Sequence, residues 1–203
     1  MAKTVTPSVA EMTDGQIDKA VELYRAMLQK HRGELGSEPV QQVLGKPEFV
    51  GEMVGVLRKR VEAVSNLIVR RVKVDRSCSP QQALSATGRK QYTDRGVVKT
   101  MPRGEGEEAE IVFFSLGRYV RDEELEKEYV VRGLKPADPY SLAAVNEADP
   151  AFADMYPNST HWRDSDGKWC YVAFGRWLDG RSVCVCRDAG GWGGSWWFAG
   201  RRK

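Results

Sequence analysis

Cys184 and Cys186 stand one residue apart in "RSVCVCRD", a run that alternates like a β-strand. Successive strand residues point to opposite faces, so the two thiols share a face with Ser182 while Val183 and Val185 take the other. Paired thiols could chelate zinc or act as nucleophiles. A zinc site wants four ligands at Cys-x2-Cys or His-x3-His spacing, and only Cys170 and His161 remain in this region as partners, so no metal is expected. A Ser-His-Asp reading would have to use His161, because His31 falls in an N-terminal helix, and no serine sits in a nucleophile-elbow context. "DSDG" (Asp164–Gly167) opens like a calcium loop but lacks the later ligands, and Asp-Gly makes a better turn than a metal site. Glu123, Glu124, Glu126 and Glu128 form a charge run on a helix, which reads as solvated surface. There is no P-loop or dinucleotide fingerprint, since the glycines of "PRGEGEE" precede a strand instead of joining strand to helix. Asn158-Ser159-Thr160 has the pattern of a glycosylation sequon, which counts only in a secreted eukaryotic protein. The expectation is no catalytic residue and no cofactor.

The elements that must position these groups change character along the chain. Thr13 and Gln16 form a capping-box pattern before an apolar stripe of Ile17, Val21, Tyr24 and Leu28, predicting a helix over Thr13–Leu35 with Gly33 at its stop. Ser37–Leu44 adds a turn or two of helix. Val50, Val54, Leu57, Val61, Val64 and Ile68 recur at spacings of four and three, predicting a helix from Pro47 to about Val69 with a heptad-like seam. The plainest use of that seam is to pack one helix on another; self-association is the alternative. Arg58, Lys59, Arg60, Arg70, Arg71 and Lys73 read as a solvated face, with Glu52 and Glu62 interrupting the patch and no aromatic platform beside it. "RVKVDR" then alternates like a strand. "SPQQALSATG" suggests a short helix, "EIVFFSLGRYV" (Glu110–Val120) a buried strand, and the following stretch a helix capped by Asp122 and stopped by Gly133. Asp138-Pro139 and Asp149-Pro150 each predict a short helix. After Tyr156 the period becomes two, and Asp166-Gly167 and Asp179-Gly180 turn successive hairpins. Strands are expected near His161–Arg163, Lys168–Leu178, Arg181–Arg187 and Trp196–Gly200.

Bulk composition bounds the class. The 203 residues are 41% hydrophobic and 29% charged, with a net charge of +3 and four cysteines. That is ordinary for a globular protein able to bury a core, too nearly neutral to imply a nucleic-acid partner, and too poor in cysteine for a disulfide framework. No leader pattern opens the sequence and no apolar run would span a bilayer, so the expected location is cytoplasmic without membrane insertion; surface display by another route stays open. All six tryptophans lie between Trp162 and Trp197. That shift divides the chain into a helical region, 1–73, and a mixed α+β domain, 74–203.

The chain closes on "CRDAGGWGGSWWFAGRRK", where glycines are interleaved with tryptophans. A glycine-rich turn leading into a last core strand accounts for the composition alone. The arrangement also resembles the variable proteins of diversity-generating retroelements. The order of elements from Glu110 onward, including "THWRDSDGKWCYVAFGRW", looks like the C-type lectin fold those proteins use, related to the formylglycine-generating-enzyme group. The likeness covers about the last hundred residues and leaves the helical front without a counterpart. In that family a reverse transcriptase copies a template with errors at adenines, so that AAC codons become many residues but never Trp, Lys, Glu, Gln or Met.

The resemblance implies a ligand-binding protein diversified within 181–197. The variable positions would be Ser182, Cys184, Cys186, Asp188, Ala189, Gly190, Gly191, Gly193, Gly194 and Ser195, all reachable from AAC. Trp192, Trp196 and Trp197, encoded without adenine, and Arg187 would be the scaffold of the site. Exposed edges of Trp192 or Trp196, with Arg187, would supply hot-spot contacts to a protein or other macromolecular ligand. Two other readings compete: a structural or interaction protein, phage-related, whose N-terminal helices self-associate and whose tail is core, and an enzyme like the formylglycine-generating group, which a depressed thiol pKa at Cys184 or Cys186 would favour.

Overall fold

The computed structural model describes residues 12–64, 67–177, 180–187 and 190–203, with backbone alone at 58–60 and 62–64. They fall into two compact units that divide between Ser65 and Asn66.

The first unit holds α1 (Asp14–Lys30), α2 (Ser37–Leu44) and α3 (Pro47–Val64). The capping box forms as the sequence predicts: the Gln16 amide donates to the Thr13 hydroxyl, and the Thr13 amide donates to the Gln16 side chain at 2.9 Å. His31 is the C-cap of α1, so that helix stops short of Gly33. The seam helix also ends early, at Val64. Ile68 is 1% exposed in a strand of the other unit, because the β-branched run Ile68-Val69 pairs with a sheet.

The second unit is a mixed helix-and-sheet domain. In chain order it contains β1 (Leu67–Lys73), α4 (Pro80–Ala86), β2 (Lys90–Thr93), α5 (Arg95–Val98), β3 (Glu108–Ser115), α6 (Asp122–Val131) and β4 (Leu134–Pro136). Then come α7 (Pro139–Ala148), α8 (Phe152–Met155), β5 (Asn158–Arg163), β6 (Trp169–Trp177), β7 (Gly180–Arg187) and β8 (Trp197–Arg202). One sheet runs β1-β3-β8-β5-β6-β7-β2, with β4 on β8. The pairs β5·β8 and β2·β7 are parallel, and the rest are antiparallel. β4 and β5 share an edge of β8, β5 pairing at Trp197–Phe198 and β4 at Gly200–Arg202. The strand Leu67–Lys73 thus belongs to the sheet, which moves the expected boundary at residue 73 forward.

Both faces of this sheet are covered. Ile68, Ile111, Phe113, Val172, Phe174, Val183, Val185 and Ala199 face a core shared with α4, α5, α7 and α8. Val112, Phe114, Ala173 and Phe198 face a smaller core shared with Leu125 and Tyr129 of α6 and with Trp192. Two-sided burial explains why β6 reads apolar on both parities. Asp138 caps α7 as expected, accepting from the Ser141 amide at 2.9 Å, and pairs with Arg76 at 2.7 Å. Asp149 instead closes α7, and α8 starts after Ala151. Asp122 is the first helical residue of α6; Arg121 occupies the cap position. Among the described residues no helix is long and apolar enough to cross a membrane.

Candidate functional site

Trp192 fixes the glycine-rich segment. It is 2% exposed, and its backbone N–H and C=O pair with Val120 at 2.8 and 3.0 Å. Its indole N–H donates to Asp122 Oδ1 at 3.0 Å, and its ring meets Tyr171, Trp196 and Phe198 edge-on. A Trp can bury roughly 150–250 Å2, enough to hold an irregular loop to a sheet. His161 Nδ1 lies 2.7 Å from the same Asp122 oxygen. Burial pushes the Asp122 carboxyl up, but the hydrogen bonds from His161 and Trp192 outweigh it and hold the group below the ordinary carboxylate range. An ionised carboxylate only accepts, so Nδ1 carries the His161 proton. His161 Nε2 is buried without a partner.

The His161 ring stacks on Trp169, with centroids 4.4 Å apart and planes 12° from parallel. The Arg163 guanidinium lies 3.8 Å from the Trp169 centroid, and the Trp169 indole donates to Glu123 at 2.9 Å. These contacts tie the β5–β6 hairpin to the start of α6. Between the hairpin, that first helical turn and the end of β7 lies a cleft of ≈ 480 Å3. Arg121, Lys168 and Arg187 line it together with Asp122 and Glu123, and Gly190 and Gly191 form part of its wall. Arg187 is ion-paired with Asp164.

The sequence-predicted positions separate by environment. Cys184 and Cys186 are half-buried on the α6 side of the sheet, their sulfurs 3.6 Å apart, with the Tyr171 hydroxyl 3.6 Å from Cys184 Sγ. Burial pushes the Cys184 thiol up to about 11, the opposite of an activated nucleophile. Ser182 shares their parity but is fully buried. Gly190, Gly193 and Ser195 are exposed, and a Cβ at Gly190 or Gly193 meets nothing within 4 Å. Gly191 has φ +124°, and a Cβ there would overlap the Tyr119 phenol, whose hydroxyl donates to the Gly190 carbonyl. At Gly194 a Cβ would sit 2.9–3.0 Å from the backbone of Gly117 and Arg118. Asp188 and Ala189 lie outside the described residues, as does Asp179 of the second predicted turn.

The scaffold positions separate too. Trp196 is half-buried beside Trp192, and Trp197 is half-buried on the opposite face against Tyr156. Trp192 offers no edge to a ligand, contrary to the expectation, because Asp122, Val120 and three aromatic rings enclose it. Sequence reasoning gave Asp122 only a capping role and Glu123 only a solvated one, and it gave Trp169 and Tyr119 no part in the site. Asp122 and His161 are 39 residues apart, a pairing with no local spacing to betray it.

The chain matches no protein-family model, no curated protein and no solved structure.

Proposed function

We propose that this is a ligand-binding protein of the retroelement-diversified kind, with a C-type-lectin-like domain that displays variable residues near its C-terminus. The observation carrying this reading is the division of labour within 182–197. Trp192 is locked to Val120 and Asp122, while Gly190, Gly193 and Ser195 around it are open to solvent and Cys184 and Cys186 lie half-exposed on the neighbouring strand. Side chains can be exchanged at those five positions while Trp192 keeps its hydrogen bonds to Val120 and Asp122. Adaptable residues on a rigid frame are what a diversified binding surface requires.

The geometry narrows the variable set. Gly190 has φ +62°, and Asn, the residue an AAC codon specifies, is among the few non-glycine residues that adopt such a conformation readily. Gly191 and Gly194 are closed to side chains, and Ser182 has no solvent to face. A macromolecular ligand would rest on the cleft and the Cys184–Cys186 strip, with Trp196 and Arg187 as the large contacts at hand. With small residues at every open position, this variant offers little contact area and is expected to bind weakly.

A combinatorial library tests the reading. Randomising Cys184, Cys186, Gly190, Gly193 and Ser195 should leave most members folded, with cooperative melts, and should yield binders to at least one of several unrelated protein targets. A second library at Ser182, Gly191 and Gly194 should yield mostly unfolded protein. Collapse of the first library would overturn the proposal.

A further inference from the structure

We propose that the N-terminal unit is a self-association module, in which α1 and α3 of one chain pack against α1 and α3 of a second copy. Among the described residues, no side chain of α1 or α2 is buried, and none between Met12 and Val61 enters the core of the protein. Among the described residues, fifteen of the large hydrophobic side chains that stand exposed lie between Met12 and Val61 and six lie elsewhere. Isolated helices of this length are marginal in water, because most helical stability comes from packing an amphipathic face. These helices have the face and lack the packing.

The exposed residues are ordered. On α1, Ile17, Val21, Tyr24 and Leu28 recur at spacings of four, three and four, and on α3 Val50, Val54, Leu57 and Val61 repeat the same spacings. All eight are 40–61% exposed, so the stripes do not cover one another within the chain. Two seams in the same phase are each other's natural partners. On α3 the phase puts Val54 and Val61 at the first core position of the heptad and Val50 and Leu57 at the second, so both core positions of the seam are apolar. Of the polar residues of α1, Lys19, Glu22 and Lys30 lie off the stripe, and Lys19 and Glu22 pair with each other at 2.8 Å; Asp14 falls at the N-terminal end of the stripe, in the first helical turn. Size agrees as well. A standard interface takes roughly 800 Å2 and about 20–30 residues from each partner. One face of two helices of 17 and 18 residues is of that order. The seams are apolar and self-matching, so a second copy of the chain is the occupant they fit.

The test is the mass of the full-length protein by light scattering across micromolar concentrations, alongside the double variants Val21→Glu/Leu28→Glu and Val54→Glu/Leu57→Glu. All six tryptophans lie in the sheet unit, so near-ultraviolet circular dichroism reports that unit's integrity separately from the helices. The expected result is a dimeric or larger wild type and monomeric variants with an unchanged tryptophan signal. Mixing donor- and acceptor-labelled wild-type chains should also produce energy transfer that excess unlabelled chain abolishes. A monomeric wild type, or variants that keep the wild-type mass, would overturn the proposal. If a variant loses its tryptophan signal, the labelled wild-type mixture decides: no transfer contradicts self-association.

Discussion

At the residue scale, the tail's glycines have two different reasons to be glycine. Gly191 combines a left-handed φ with the Tyr119 phenol where a Cβ would be, whereas Gly193 has open space around it. Gly191→Ala is therefore expected to cost about 1–3 kcal/mol, and Gly193→Ala about 0.5 kcal/mol or less in either direction; thermal or denaturant melts of the two variants compare them directly. Asp122 gives a second residue-level expectation. Its folded-state pKa lies below the unfolded value, so its contribution to stability is complete above the unfolded pKa and is lost as pH falls through the folded one. Stability should thus decline from about pH 4 downward, and Asp122→Asn should flatten that part of the profile while lowering stability at neutral pH. An acid limb of unchanged steepness in the variant would contradict the assignment. Trp192→Phe keeps an aromatic ring but removes the N–H and leaves a cavity where the rest of the indole was. Loss of the hydrogen bond to a buried carboxylate should alone cost roughly 1.5–3 kcal/mol, and the cavity adds to it, read in the same melts.

At the scale of elements, the sequence carried much of what is encoded locally, though Asp149 closes a helix where its Asp-Pro pattern predicts a start. The capping box at Thr13, the Asp138-Pro139 helix start, the Asp166-Gly167 hairpin and the alternation of β7 are all short-range signals, and each forms. What was not legible depends on distant partners. β2 is four residues of mixed character that become a strand only because β7 offers a parallel edge from Lys90↔Ser182 to Thr93↔Val185. β4 is three residues held by the far end of β8. Ile68 continued the helical seam by spacing, yet its β-branched neighbourhood is claimed by β3 through pairing with Phe113. The candidate site failed to show itself for the same reason. Parity put Ser182, Cys184 and Cys186 on one face, but only tertiary packing decides that Ser182 is sealed while the two thiols stay half-exposed.

At the scale of the whole molecule, the two units carry opposite kinds of surface. The sheet unit buries both faces of its sheet and keeps most of its apolar side chains inside. Residues 66–203 made alone should accordingly show the near-ultraviolet tryptophan signal of the full chain; loss of that signal would mean the sheet needs the helices. The helical unit presents its apolar side chains outward, which suits a module that brings copies together. Joined, they would make a multivalent display of a surface that is weak one copy at a time, and avidity could raise apparent affinity by about 10²–10⁴-fold where the geometry lets copies engage together. The central claim is that this surface varies. The most direct measurement is the sequence of the gene's 3′ end and its flanking DNA across many cells of the source population. Codons 184, 186, 190, 193 and 195 should differ between cells while those of Trp192, Trp196 and Trp197 stay fixed, with a near-copy nearby carrying adenines at the variable sites. An identical tail in every cell, with no such copy beside it, would contradict the claim and leave the glycines as a turn.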